Sequence, residues 1–159
     1  MDFPKRIYTE QELKRARELT EKGYRHSLTI EGSIAFKEKV QRVFELVKTA
    51  GYYDFFITYI GTVKEIDGLT QLRQSEAAIW ANKYAVENPV DAASFFVQKA
   101  NQMKEYLEGQ LYYGGAAEKR SDEKRIEFLK VLEAKSNDER VKEECERILK
   151  LWREGYLVY

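Results

Sequence analysis

The chain holds one histidine, His26, and one cysteine, Cys145. Zinc sites draw on several nitrogen and sulfur ligands, and di-iron bundles use Glu-x-x-His pairs. Histidine is also the usual acid/base near neutral pH and the usual partner of a serine or cysteine nucleophile. One subunit therefore cannot assemble most familiar catalytic constellations. His26 stands beside Arg25 in a connector, where an acid/base or anion-binding role competes with the plainer reading of an exposed loop histidine. Cys145 falls on the apolar stripe of the last helix, the place of a small buried thiol rather than of a nucleophile.

Carboxylates remain. Magnesium accepts oxygen ligands and keeps water in its other positions, so acidic pairs on neighbouring helices suffice to hold it. Glu18-x-x-Glu21 and Glu105-x-x-Glu108 have a helical spacing, and Glu118 with Asp122 is the nearest downstream pair. Glu105 and Glu108 are the candidate metal ligands. Yet 27 of 159 residues are acidic, which makes such pairs common on solvated helix faces. The expectation is no catalytic residue, no metal ligand and no cofactor. Gly114-Gly115 lacks the spacing and the lysine of a phosphate-binding loop.

The eleven tyrosines are the one unusual positive feature. They occur in doublets, Tyr52-Tyr53 and Tyr112-Tyr113, and near the ends, as Tyr156 and Tyr159. Adjacent helical residues point about 100° apart, so both members of a doublet cannot enter one layer. A large ring with a polar tip suits an interface. Tyr52, Tyr53, Phe56, Tyr59, Tyr112, Tyr113, Tyr156 and Tyr159 are therefore the candidate interface residues, and a homo-oligomer is the expected assembly.

Charge narrows the partners. There are 27 basic and 27 acidic residues, balanced both before and after Gly115. Nucleic-acid affinity is driven by phosphate neutralisation, so a nucleic-acid partner is not expected unless Lys14, Arg15, Lys37 and Arg42 form one stripe. The N-terminus has no apolar signal segment, and the most apolar stretch, Tyr52 to Val63, is too short and too polar to span a membrane. With a lone cysteine, a cytoplasmic location is the expectation. The abundance of Lys and Glu leans towards a thermophilic source.

The elements that must position these residues read as helices. Thr9-Glu10-Gln11-Glu12 is a capping box, and Gly23 ends the helix it starts. Arg25 to Gly32 reads as a connector. Ser33 opens a second helix with Phe36, Val40, Val43, Phe44 and Val47 at helical spacing, stopped by Gly51. Positions 52, 56, 59, 60, 63 and 66 form one stripe and predict a third helix, against a competing strand. A fourth is predicted from Thr70 to about Glu87, with Ser75, Ala78, Asn82 and Ala85 as a small-residue face.

Asn88-Pro89 starts the next helix, which carries Ala93, Phe96, Val97, Ala100, Met103 and Leu107. Residues 116–120 form a candidate joint. Beyond it, Ser121 caps one helix, and a second capping box, Ser136-Asn137-Asp138-Glu139, opens a last helix striped by Val141, Cys145, Ile148, Leu149 and Trp152. The expected fold is all-α: a single domain over 1–159 with six or seven helices and essentially no sheet. A sub-division into a main bundle, 1–115, and a C-terminal helical hairpin, 116–159, is compatible with it. The expected function is a non-enzymatic protein-interaction module that self-associates through aromatic helix faces. A carboxylate-magnesium enzyme acting on a phosphorylated small molecule and a nucleic-acid-binding accessory protein are the alternatives.

Overall fold

The computed structural model describes residues 2–155. It contains six helices, α1 (Glu10–Glu21), α2 (Ile34–Thr49), α3 (Tyr53–Tyr59), α4 (Pro89–Leu107), α5 (Gly115–Lys135) and α6 (Glu139–Arg153). It also contains four strands, β1 (Thr29–Glu31), β2 (Thr62–Ile66), β3 (Gln71–Arg73) and β4 (Ala78–Asn82). The all-α, helical-bundle expectation is thus overturned. The strands form one mixed sheet in the order β1-β2-β4-β3, with β1, β2 and β4 parallel and β3 antiparallel on the edge.

The errors lie where strand partners are distant in sequence. The stripe from Tyr52 to Ile66 is two elements: α3 ends at Tyr59, and β2 follows. The apolar period carried across that break because β2 also buries Val63. The helix expected from Thr70 to Glu87 is instead β3, β4 and two short 3-10 turns. Its expected small-residue face is dispersed: Ser75 and Ala85 fall in the 3-10 turns and Ala78 and Asn82 in β4, which buries Ala78, Ile79 and Ala81 between β2 and β3. The Thr70 hydroxyl accepts a bond from the Asn82 backbone N–H, 3.0 Å away, and caps no helix. The connector before Gly32 contains β1, whose Thr29 pairs with Thr62.

Helix boundaries follow local chemistry more closely. Thr9 and Glu12 make the capping box, with the Thr9 hydroxyl accepting from Glu12 N–H at 3.1 Å and the Glu12 carboxylate accepting from Thr9 N–H at 2.9 Å. The joint expected at 116–120 is helical, and Ser121 sits inside α5 rather than at its start. The cap of α6 is Asp138, which accepts from Arg140 N–H, while Ser136 accepts from Asp138 N–H. α2, α3 and α4 meet at Phe44, Phe56 and Phe96, whose ring centroids lie 5.3–6.1 Å apart. Val63, Ile79 and Ala81 of the sheet belong to the same core. α5 and α6 form a hairpin, and α5 packs along α4. No helix among the described residues is long and apolar enough to cross a membrane.

Candidate binding cleft

α4 is held at its start by Asn88, whose side chain accepts from Asp91 N–H, with Pro89 in the first turn. Its apolar side, including Ala93, Phe96, Val97, Ala100, Met103 and Leu107, is fully buried. On its flank, Phe95, Gln98, Lys99, Gln102 and Tyr106 recur at three- and four-residue steps and so share a stripe. Phe95, Gln98, Lys99 and Gln102 form one wall of a cleft of about 300 Å³. α5 provides the opposite wall through Glu118, Ser121 and Asp122, themselves one helical face. Tyr112 and Tyr113 of the α4–α5 connection, and Thr70 just before β3, complete it.

A chain of bonds crosses the cleft. The Lys99 ammonium donates to Gln102 Oε1 at 3.1 Å, and Gln102 Nε2 donates to Ser121 Oγ at 3.2 Å. Lys99 Nζ also sits 4.8 Å from the centre of the Phe95 ring. It makes no ion pair with any described residue. Gln98 is only 4% exposed, yet its side-chain amide makes no hydrogen bond to another described residue. The amide opens on the cleft and offers both a donor and an acceptor to what enters it.

Arg125 lies beneath, with its side chain fully buried. Its Nη2 donates to Asp91 at 2.8 Å, and its Nε donates to Ser94 Oγ at 3.2 Å. Burial, reinforced by the Arg125 charge, lowers the Lys99 amine to about 8. Burial raises the Asp122 carboxyl, Arg125 opposes that, and Glu118 adds to it. The cleft therefore combines an amine that is partly neutral near physiological pH, two amides, two carboxylates and aromatic walls. Gln98 and Gln102 are one turn apart, the spacing at which two helical histidines hold zinc, but amides flanking a cationic lysine make no such ligand set. No cluster of three or more metal-ligating side chains occurs among the described residues.

Of the acidic and aromatic residues singled out by sequence, Glu118, Asp122, Tyr112 and Tyr113 line the cleft, and the others fall elsewhere. Glu105 and Glu108 diverge: Glu105 is buried and takes Arg120 Nε at 2.5 Å, whereas Glu108 is exposed and pairs with Lys104 at 2.6 Å. Phe56 is fully buried and contributes no surface. Tyr52 and Tyr53 are half-buried against Phe128 and Phe44, and Tyr59 against Phe55. Tyr112 and Tyr113 stand edge to face at the mouth of the cleft, with Tyr113 64% exposed. Tyr156 and Tyr159 lie outside the described residues. Arg42 is engaged by Glu45 and Asp138, which reduces the positive stripe.

His26 is set among aromatic rings. Its ring packs 4.5 Å from Phe3 and 5.0 Å from Tyr24, centre to centre, and burial lowers the imidazole to about 4. Cys145 is fully buried, and burial raises its thiol to about 12. Gln98, Lys99 and Gln102 were missed because, in sequence, they are an ordinary polar flank of an amphipathic helix. No family model, curated protein or solved structure matches this chain.

Proposed function

We propose that this chain is a non-catalytic binding protein whose α4–α5 cleft takes an extended peptide segment. The observation that carries this reading is the Gln98 amide, which has no hydrogen-bond partner among the described residues and opens on the cleft beside Lys99 and Gln102. A carboxamide matches a peptide group donor for acceptor, and ring walls suit the side chains of an extended chain. β3 adds support. Among the described residues it pairs only with β4, and Thr70, just before it, lines the cleft. A strand with one free edge is a ready partner for an extended peptide. A second hollow, lined by Ile7, Tyr8, Leu72, Arg73, Ser75 and Tyr106, continues along that strand.

The cleft's own side chains argue for binding rather than turnover. Ser121 Oγ accepts from Gln102, and Lys99 donates to Gln102, so the serine has no base upon it. Selection from a random displayed peptide library tests the reading. Captured peptides are expected to lose at least about tenfold in affinity, or about 1.4 kcal/mol, on Gln98→Ala. An empty selection, or capture indifferent to Gln98→Ala and Gln102→Ala, would reject it.

A further inference from the structure

We infer that the Lys99 amine is a covalent attachment site, which condenses in this cleft with a small aldehyde to form an imine. Lys48, Lys64 and Lys83 also lie over aromatic rings, but Lys99 combines a ring contact with a place in the cleft wall and no ion pair to a described residue. Lys39, Lys104, Lys124 and Lys150 each face a glutamate at 2.6–3.9 Å. Lys99 has an amide oxygen and an aromatic ring instead, and its end opens on a cleft large enough for a small ligand. The groups that face it are Phe95, Gln98 and Gln102 from α4, and Glu118, Ser121, Asp122 and Arg125 from α5. Tyr112, Tyr113 and Thr70 close the rim.

The chemistry balances without an oxidant or reductant. The neutral amine's lone pair adds to the carbonyl carbon, the nitrogen loses one proton, and the former carbonyl oxygen gains one. That carbinolamine then loses its oxygen as water, taking the nitrogen's second proton, and the C=N bond remains. The limiting requirement is an unprotonated amine. With the amine lowered to about 8, the neutral fraction near pH 7 is larger than that of an ordinary lysine by a factor on the order of a few hundred. Lower basicity reduces intrinsic nucleophilicity, which offsets part of that gain. The inference rests on the cleft being a ligand site, as in the peptide reading, but does not require the ligand to be a peptide.

The test treats the intact protein near neutral pH with benzaldehyde and sodium cyanoborohydride, which reduces any imine to a stable benzylamine. Adducts are then located by peptide mass spectrometry. Lys99 is expected to be labelled at least about tenfold faster than the mean of the other lysines, a conservative share of its advantage in neutral amine. The preference is expected to vanish in denatured protein, and the native Lys99 rate to level off above about pH 8. Labelling in proportion to exposure, or equal labelling of Lys99 in native and denatured protein, overturns the inference. If that happens while peptide capture still depends on Gln98, the imine falls and the binding reading stands.

Discussion

Arg125 Nη2 of α5 donates to Asp91 Oδ1 of α4 across 2.8 Å, joining a fully buried guanidinium to a carboxylate that is 40% exposed. The same guanidinium lies 5.6 Å from the centre of the Phe95 ring and 5.4 Å from that of Trp152, so one side chain ties α4, α5 and α6 together. Trp152, expected from its stripe to be a core anchor, is half-buried over this cation, while Cys145 and Ile148 are fully buried beside it. The positive charge is thereby fixed beside Phe95, one of the residues lining the cleft.

Removing the carboxylate takes the Asp91 ion pair from that buried cation. Asp91→Ala is expected to lower stability by about 2–3 kcal/mol, below the usual cost for a wholly buried pair because water reaches Asp91. Urea unfolding measures it. Asp91→Ala with Arg125→Met should recover part of the loss, because the buried charge is then gone as well. No recovery would mean the pair is not coupled.

His26 should make the fold sensitive to acid. Its folded-state value is near 4 against an ordinary value of 6.5, so the unfolded chain binds the proton first as pH falls. Its contribution is complete above about pH 6.5 and is lost progressively towards pH 4, up to about 3 kcal/mol. The Nε2 atom is buried with no hydrogen-bond partner among the described residues, so none of them compensates a charge on the ring. Melting temperatures measured from pH 7 down to pH 4 are expected to fall less steeply in His26→Leu than in the wild type.

Cys145 should be silent to thiol reagents while the protein is folded. Its side chain is fully buried and its thiol stands near 12, which leaves almost no thiolate at neutral pH. Ellman's reagent is expected to react only after unfolding in guanidinium chloride. Prompt reaction in native buffer would show that α6 opens readily from α5.

Arg120 braces the rim of the cleft. Its Nε holds buried Glu105, and its Nη2 donates to the Leu111 carbonyl at 2.7 Å. Arg120→Ala strands the carboxylate, whose other oxygen already has no hydrogen-bond partner. It should cost about 2–3 kcal/mol and speed amide exchange through 108–114. Because Glu105 and Glu108 are already committed to cations, magnesium or EDTA should leave the melting temperature unchanged. A rise with magnesium that disappears in Glu105→Gln would restore the metal reading.

Short-range order was legible in the residues. Thr9 with Glu12, Ser33, and Asn88 before Pro89 mark helix starts because a cap bonds the backbone two or three residues away. The stripes of α2, α4 and α6 were equally readable, since helical hydrogen bonds link neighbours four residues apart. Tertiary structure alone decided the sheet. Thr29 finds Thr62, and Val63 finds Ile79, and no local window contains either pair. A five-residue strand buried in the sheet's interior also shows little of the alternation that would separate it from a helix. The cleft is of the same kind. Gln98, Lys99 and Gln102 are a polar helix flank until α5 and the Tyr112-Tyr113 turn fold over them. That closure withdraws water from an amine and an amide, and desolvation, not residue identity, turns a helix surface into a site.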